Sequence, residues 1–289
     1  MGIKMKIEVR DLEVEFKNGT KAVDGVSLEI ENGIFGLLGE NGAGKTTLMR
    51  VLTTLLPISS GTVTFDGVPV VPENYCEIQK IIGYLPQELV LYPQLRVREA
   101  LEYLGSLSGL TKAQCKEKID YYLERTNLKE HQKKKIRQLS GGMKRRVGLI
   151  QAMMGDPKIL VVDEPTTGLD PEERIRIRNL LVEFAKDRVV LFSTHVIEDI
   201  GATCKNLAIM KKGKILYQGT VADLLRQSQG HIRTVEVQTE EEVSKLNKSI
   251  RYVQSNIRKT ELRLKLFVRK YQVRWMVTKG LFWKMHICI

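Results

Sequence analysis

Alternation of apolar and polar residues predicts paired strands at the start of the chain. In KIEVRDLEVEF and AVDGVSLEI, apolar residues largely recur at every second position, which is the period of a half-buried strand. A short apolar run at residues 33–38 meets a glycine-rich turn, and a helix is expected from about 44 to 55, ended by Pro57. GTVTFDGVPV, with Asp66 and Gly67 at its turn, predicts a further hairpin.

From about residue 95 the apolar spacing changes to the three-and-four pattern of helices. The residues that show it first are Val97, Ala100, Leu101 and Leu104. Thr111 is suited to cap a second helix, and a last helix is expected from about Ser140 to Gly155. The pattern therefore predicts a mainly helical insert at about residues 95–155.

Strands alternate with helices again after the insert. Residues 159–162 form an apolar run typical of a buried parallel strand, and a second such strand is expected at 188–193. Between them, Asp170 as N-cap and Glu173 as its capping-box partner predict a helix that ends near Lys186. This order predicts a parallel sheet, with function beyond the carboxyl ends of its strands.

Composition limits the class of protein. The 289 residues are 43% hydrophobic and 28% charged, an ordinary globular balance that excludes disorder, collagen and coiled-coil rods. No apolar run is long enough for a membrane helix, and the N-terminus lacks a signal peptide, so we expect neither secretion nor membrane insertion. Four scattered cysteines without a CxxC pair suggest no zinc site or disulfide framework and fit a reducing cytoplasm.

The net charge of +12 is concentrated at the C-terminus. Nine of the Lys and Arg residues but only one Glu lie in residues 257–289, so the rest of the chain is only mildly basic and does not imply nucleic acid. This tail carries no motif that we recognise. It is interpreted as a solvated or divergent terminus, with a membrane-surface helix as the alternative.

A loop with the sequence GENGAGKTT, at residues 39–47, matches GxxxxGK[ST] between a predicted strand and a predicted helix. Its backbone N–H groups and the helix N-terminus suit phosphate oxygens, Lys45 suits the β and γ phosphates, and the Thr46 hydroxyl suits Mg²⁺. The residues expected to bind nucleotide here are Gly39, Asn41, Gly42, Gly44, Lys45, Thr46 and Thr47.

Two adjacent carboxylates end the strand ILVVDEP, residues 159–165. Asp163 is expected to bind Mg²⁺ or support its ligands, and Glu164 to take the proton from a water that attacks the γ-phosphate. Alone, such a strand end is more often structural than catalytic. Beside a phosphate loop, the catalytic interpretation becomes the better one.

The sequence LSGGM, residues 139–143, opens a helix whose first N–H groups form an anion site around Ser140 and Gly142. Alone, SGG indicates a flexible turn. In the company of the other motifs, it resembles the signature of the nucleotide-binding subunit of ATP-binding cassette (ABC) transporters. That family carries, in order, a Walker A loop, a Q-loop, an LSGGQ-like signature, a Walker B strand, a D-loop and a switch histidine.

The resemblance extends over about residues 5–230. Gln87 in GYLPQ matches the Q-loop, Gly168–Asp170 matches the D-loop, and His195 in STH matches the switch histidine. It implies an α/β fold: a P-loop NTPase (RecA-like) core with an antiparallel β subdomain and a mainly helical insert. It also implies an ATPase domain at residues 1–230, followed by an appendage of uncertain structure at 231–289.

The resemblance also assigns roles that the residues alone do not suggest. Gln87 is expected near Mg²⁺ and the attacking water, and His195 near the γ-phosphate. Phe16 matches the aromatic residue that stacks on adenine, although a core Phe at a strand end is almost as good an interpretation. Two residues depart from the family pattern: Met143 stands where Gln is usual, and Phe16 where Tyr is commoner. The first departure is expected to affect only the hydrogen bonding of the signature helix.

In the family, ATP lies between Walker A of one subunit and the signature of another, which implies a homodimer, with ATP and Mg²⁺ as cofactors, that drives separate transmembrane permease subunits. Residues 88–99 resemble drug and antibiotic exporters, so export of a drug, antibiotic or lipid-like compound is expected, from the inner face of the cell membrane. Leu89, Leu91 and Tyr92 are expected either to receive a permease helix or to pack on their own insert.

Other classes of protein fit the sequence less well. A soluble ABC-type ATPase that acts on nucleic acid or ribosomes is the main alternative. Relatives that act on DNA have a long coiled coil between Q-loop and signature, and ribosomal relatives join two cassettes, but neither feature is present here. No nucleic acid partner is therefore expected. A P-loop kinase or GTPase would not need Gln87, Ser140 and His195 in this order.

Overall fold

The computed structural model describes residues 5–228 and the backbone of three further strands at 232–237, 252–258 and 261–267. The strands are β1 Lys6–Glu15, β2 Lys21–Glu31, β3 Gly33–Leu38, β4 Ser60–Phe65, β5 Val68–Pro69, β6 Ile82–Leu85, β7 Ile159–Asp163, β8 Val189–Thr194, β9 Asn206–Lys211, β10 Lys214–Thr220, β11 Ile232–Val237, β12 Tyr252–Arg258 and β13 Glu261–Phe267. The helices are α1 Lys45–Leu52, α2 Tyr75–Ile81, α3 Val97–Leu107, α4 Lys112–Arg125, α5 Gly141–Met154, α6 Pro171–Phe184, α7 Ile197–Thr203 and α8 Val221–Ser228.

The N-terminal strands form the expected antiparallel sheet, in the order β2-β1-β4-β5. Ile7 pairs with Ile30 of β2 on one side and with Phe65 of β4 on the other. All three side chains are buried, because residues that face each other across neighbouring strands lie on the same side of the sheet.

A second sheet, in the order β10-β9-β3-β8-β7-β6, forms the centre of the molecule. Its strands are parallel from β9 to β6, and only β10 is antiparallel to its neighbour. Successive side chains of a strand point to opposite faces. In β7, Leu160 and Val162 therefore enter the core beneath the helical insert, while Ile159 and Val161 enter the core beneath the antiparallel sheet.

The helices α3, α4 and α5 form the predicted insert and share one apolar core with the central sheet. Thr111 caps α4, and Ser140 caps α5 by accepting a hydrogen bond from the backbone N–H of Met143 at 3.2 Å. Together the two sheets and the insert confirm the expected α/β architecture.

Three local predictions differ from the structure. Helix α1 begins at Lys45 and ends at Leu52, because Gly44 is left-handed with φ 105° and Thr54 has φ 60°. Helix α6 ends at Phe184, and a short 3-10 turn covers the residues after it. The Asp170 side chain caps α6 as predicted, but the Glu173 carboxylate lies 3.0 Å from Arg146 of the insert.

The pattern analysis assigned no element to α2 and β6. Strand β6 is short, and Gly83 within it lies so close to the backbone of Ala152 that a side chain would collide with it. The position of β6 therefore depends on the close approach of α5 to the sheet and not on the apolar pattern of its own sequence.

Residues beyond α8 are described only as backbone. Strands β11, β13 and β12 form an antiparallel sheet in that order. The rest of the appendage, and most of the basic tail, lie outside the described residues. No helix in the part of the chain that the structure describes is long and apolar enough to cross a bilayer.

Candidate active site

The glycine-rich loop joins β3 to α1 at the carboxyl edge of the central sheet. Gly44 requires glycine, since its φ is 105° and a side chain would collide with the carbonyl of Ala22 in β2. Asn41 and Gly42 are exposed at the loop, and Thr47 lies in the first turn of α1. No side chain caps α1, so its first N–H groups are available to an anion.

Lys45 is almost fully buried, and its ammonium group folds back onto the loop. Its Nζ donates to the carbonyl oxygens of Gly39 at 2.7 Å and Glu40 at 3.1 Å, and lies 3.9 Å from Oε1 of Glu164. Desolvation lowers the pKa of Lys45, although the nearby charges of Glu164 and Asp163 act against this shift. The loop therefore holds a buried cation whose partners are mostly neutral carbonyls. This ammonium group is suited to bind phosphate oxygens instead.

Asp163, at the end of β7, is completely buried and joins two hydroxyl groups. Thr46 Oγ1 donates to Asp163 Oδ2 at 2.7 Å, and Ser193 Oγ of β8 donates to Oδ1. A hydroxyl and a carboxylate side by side are the hard oxygen donors that Mg²⁺ prefers. Within the described residues no group of three His, Cys, Asp or Glu side chains converges on one point. These donors therefore suit an ion that takes further oxygens from its substrate.

Glu164 adopts a left-handed backbone conformation with φ 52°, which is unfavourable for residues other than glycine. Its N–H donates to the backbone oxygen of Ser193 at 3.2 Å and to Ser193 Oγ at 3.1 Å. Its carboxylate lies 3.0 Å from Nδ1 of His195 and accepts a hydrogen bond from Thr167 at 3.0 Å. The turn thus separates the Glu164 carboxylate from that of Asp163 and holds it between two polar side chains.

His195 follows β8, and its side chain is 43% exposed, whereas that of Glu164 is only 6% exposed. The histidine therefore lies at the mouth of the site, with Nδ1 directed to the carboxylate. Gln87, after β6, is also exposed. Its backbone oxygen accepts a hydrogen bond from Arg145 at 2.7 Å.

Phe16 lies in the turn between β1 and β2 and is 43% exposed. The interpretation of Phe16 as a core side chain is therefore wrong. Strand β2, which this turn opens, reaches the phosphate loop at Ala22, whose carbonyl approaches Gly44. An exposed aromatic ring in this turn remains available to stack on a ligand.

The signature turn has different surroundings. Ser140 and Gly141 are exposed, and Ser140 bonds to the first turn of its own helix. Gly142 lies against Leu169 of the D-loop, since a Cβ at this position would be 2.8 Å from Leu169 Cδ2. Met143 packs partly on the core beneath the insert. The cap of α5 therefore depends on Ser140 and on a backbone N–H, so the Met143 side chain does not disturb it.

The structure thus joins Lys45, Thr46, Asp163, Glu164 and His195 by direct contacts, whereas the contacts of Ser140 and Gly142 are with α5 and the D-loop. Three polar residues of the site, Ser193, Thr167 and Arg145, were not predicted from the sequence. No local signal distinguishes Arg145 from its neighbours, because every residue of α5 from 145 to 150 is buried.

Comparisons with known proteins identify the family of this chain. A family model described as "ABC transporter" matches residues 23–167. The chain is 40% identical over 208 residues to the "Uncharacterized ABC transporter ATP-binding protein YhaQ" of Bacillus subtilis, covering 71% of this chain and 68% of the relative. It is 38% identical to the "Linearmycin resistance ATP-binding protein LnrL" of the same organism, covering 70% of this chain and 65% of the relative.

Among solved structures, cbiO1 of Clostridium perfringens, part of the ABC transporter complex cbiONQ, is similar with a TM-score of 0.68. The two are 28% identical, and the match covers 84% of this chain and 94% of cbiO1. Fold and site define a nucleotide-binding protein of the P-loop class. The chain belongs to the ABC transporter family, as an ATP-binding subunit that hydrolyses ATP.

Proposed function

We propose that two copies of this chain bind ATP and Mg²⁺ between them and drive a separate transmembrane permease. The observation that carries the proposal is the division of the site within one chain. Thr46 hydrogen-bonds to Asp163 and Glu164 lies against His195, whereas Ser140 of the signature turn is exposed and, among the described residues, its side chain accepts a hydrogen bond from its own helix. An exposed helix N-terminus that suits an anion, and whose cap lies within its own helix, fits a nucleotide that is held by a second copy of the chain.

On the phosphate-loop side, the loop N–H groups and Lys45 bind the phosphates, with Asn41 and Thr47 in the same loop and first turn, while Phe16 stacks on the adenine. Thr46, Asp163 and Gln87 would hold Mg²⁺, which neutralises charge on the phosphate oxygens. The contact of Thr46 with Asp163 at 2.7 Å supports this assignment, because it places two oxygen donors together.

Glu164 takes the proton of the attacking water, and His195 orients the Glu164 carboxylate and contacts the γ-phosphate. The 3.0 Å contact between His195 Nδ1 and Glu164 supports the orienting role of His195. A carboxylate held by His195 and Thr167 in a nearly dry site is positioned before the water arrives, which general-base catalysis requires. Ser140 and Gly142 of the second copy close the site over the phosphates.

Mixing two inactive variants tests the shared site. A Glu164→Gln chain keeps its signature, and a Ser140→Arg chain keeps its phosphate-loop side, so a mixed dimer contains one intact site. Each variant alone is expected to be nearly inactive, whereas an equal mixture should recover roughly a quarter of the wild-type rate, from half the dimers with one site each. A mixture that remains inactive, with both variants folded, would overturn the shared site.

A matched control uses two residues from the same side of the site. Glu164→Gln mixed with Lys45→Ala leaves a defect in both sites of the mixed dimer and should remain inactive. Recovery in this mixture as well would mean that subunit mixing, rather than site sharing, restores activity.

An exposed apolar surface supports the proposed permease partner. Val90 is 93% exposed, and the exposed ring of Tyr92 meets the Tyr103 ring edge-on with centroids 5.3 Å apart. Leu107, one turn further along α3, is 67% exposed and extends the surface. Leu89 and Leu91, by contrast, pack on the core beneath the insert, so only Tyr92 of the three predicted docking residues is exposed.

The permease partner places the chain at the inner face of the cell membrane. The linearmycin resistance relative LnrL supports export of a drug, antibiotic or lipid-like compound. Co-expression with a permease is expected to stimulate ATP hydrolysis, and Val90→Ser with Tyr92→Ser should abolish the stimulation but not basal hydrolysis. Stimulation by nucleic acid or ribosomes, and by no membrane protein, would instead favour the soluble alternative.

We also propose that residues 1–230 form the ATPase domain, with its helical subdomain at about 95–155, and that 231–289 form an appendage. Strands β11, β13 and β12 form a sheet of their own, separate from the two sheets that lie before residue 230, which supports this division. A chain that ends at residue 230 should fold and hydrolyse ATP. Loss of folding on this truncation would contradict the boundary.

A further inference from the structure

We propose that Arg145 is a positioning residue for hydrolysis, which holds Gln87 and Glu164 in place relative to each other. The proposal rests on the roles proposed above for these two residues. Arg145 lies on α5, five positions after the exposed signature residue Ser140, and its own side chain is buried.

The hydrogen bonds of Arg145 all go to backbone carbonyls of the active site. Its Nη1 donates to the carbonyl oxygens of Pro86 at 2.6 Å and Gln87 at 2.7 Å, and its Nη2 donates to that of Asp163. One planar guanidinium therefore spans the loop after β6 and the end of β7. A lysine would carry its donors on one nitrogen and would lack the fixed spacing between Nη1 and Nη2 that reaches both segments.

The carbonyl of Asp163 belongs to the peptide that leads into Glu164. The N–H of the same peptide donates to Ser193 in β8. Arg145 and Ser193 thus hold this peptide group from its two ends, immediately before the left-handed turn at Glu164. Loss of the guanidinium frees the carbonyl, and with it the orientation of the Glu164 carboxylate.

The loop at Gln87 rests on the same helix in a second place. Gly148, less than one turn beyond Arg145, lies so close to Leu89 that a side chain there would collide with it. Helix α5 therefore contacts this loop at two places: Arg145 binds its backbone carbonyls, and Gly148 packs against Leu89. The exposed side chain of Gln87 is positioned by a backbone that Arg145 holds.

Arg145 and its neighbour Arg146 both lie in an environment that is costly for a charge. Burial lowers the pKa of each, and the Nε of neither has a hydrogen-bond partner among the described residues. The two differ in their partners, because Arg146 pairs with the Glu173 carboxylate at 3.0 Å and donates to the carbonyl of Thr126 at 2.5 Å. Arg146 therefore connects α5 to its neighbouring helices, whereas Arg145 connects the loop after β6 to the end of β7.

A double-mutant cycle tests whether Arg145 acts through Gln87. In the full-length chain, Arg145→Met should lower kcat by roughly 10- to 100-fold, the usual effect of a misplaced catalytic group. It should leave the Kd for ATP nearly unchanged and raise the Mg²⁺ concentration that gives half-maximal activity. In a Gln87→Ala background the same change should lose several-fold less activity, because the group that it positions is already absent.

Arg146→Met is the matched control, since it removes a buried arginine from the same helix. It should lower the unfolding temperature, and its effect on kcat should multiply with that of Gln87→Ala. If Arg145→Met does not fold, Arg145→Lys and Arg145→Gln replace it in the same cycle, with intermediate losses expected.

The outcomes separate this inference from the proposed function. If Gln87→Ala slows hydrolysis and the effect of Arg145→Met simply multiplies with it, Arg145 is structural and the inference is overturned. If Gln87→Ala does not slow hydrolysis, the proposed role of Gln87 is wrong. The inference that Arg145 acts through Gln87 is then wrong as well.

Discussion

The phosphate-loop side and the signature turn are both suited to phosphate, but the chain holds them in opposite ways. Around Asp163, the buried side chains of Asp163 and Ser193 and the half-buried side chain of Thr46 are hydrogen-bonded to one another. At the start of α5, Ser140 is exposed, and among the described residues its side chain and its carbonyl both accept hydrogen bonds from its own helix.

This difference shows how a single chain can carry half of each of two sites. The buried side needs precise relative positions of several elements, which only the core of one folded chain supplies. The signature turn needs only a capped helix N-terminus that is accessible from outside. A defect on the buried side should therefore affect chemistry and binding within one chain, and a defect in the signature turn should appear only when copies meet.

The largest effect is expected from Glu164→Gln, which keeps the shape of the buried side but removes the base. Hydrolysis should fall by roughly 10²- to 10⁴-fold, while ATP binding persists and favours a stable dimer. Phosphate release and size-exclusion chromatography with ATP measure the two effects. Glu198→Gln, at an exposed position on α7, is the control. A Glu164→Gln chain with near-normal turnover would exclude this residue as the base.

Lys45→Ala should weaken ATP binding itself. A charge-assisted hydrogen bond contributes about 1.5–3 kcal/mol, so the Kd for ATP should rise by roughly 10- to 100-fold. Equilibrium binding of a fluorescent ATP analogue measures it. An unchanged Kd would show that the loop N–H groups bind the phosphates without the cation.

The buried position of Lys45 also predicts a pH dependence of ATP binding. Desolvation lowers its pKa below the ordinary value of 10.5, so the free protein loses this proton at a pH where exposed lysines still keep theirs. Bound phosphate favours the charged form, and ATP affinity should therefore fall as pH rises through the lowered pKa. Lys45→Arg keeps its charge and should show a flatter profile, whereas equal slopes would contradict this assignment.

Ser140→Ala should have a smaller effect, and one that appears only between copies. It removes the cap of α5, which contributes about 1 kcal/mol to helix stability. ATP binding by the monomer should not change, but hydrolysis should fall several-fold because the second copy's nucleotide loses a contact. Reduced ATP binding by the monomer would show that Ser140 belongs to the site of its own chain.

The smallest effect is expected from Met143→Gln, which restores the usual residue of the signature. The cap uses the backbone N–H of residue 143, and the Met143 side chain packs on the core. Hydrolysis should change by less than about twofold, the usual range for a mild substitution. A large gain in rate would mean that Met143 limits the signature turn.

Local patterns were sufficient for the elements that carry the site. Alternation predicted β1 and β2, and the glycine-rich loop and the two carboxylates at the end of β7 were found at the ends of predicted strands, whereas His195 was found only through the family resemblance. The Thr111 and Asp170 caps were correct because capping depends on residues three positions apart. Prediction failed where distant residues decide the outcome, as for Glu173, which lies against Arg146.

The surface after Gln87 shows the same limit. Leu89, Leu91 and Tyr92 are equally apolar in sequence, and either interpretation suited all three. In the structure Leu89 and Leu91 pack on the core while Tyr92 is exposed and meets Tyr103. Which residues are buried depends on where α5 passes beneath the loop, and no local pattern contains that position.

The sequence by itself determined the order of elements, the phosphate loop and the chemistry of the residues at the strand ends, because these depend on neighbours along the chain. Only the tertiary structure decided that Thr46 meets Asp163, that Glu164 meets His195 and that Arg145 joins the Gln87 loop to β7. These contacts join residues far apart in sequence, and they form because a parallel sheet brings the carboxyl ends of its strands to one edge.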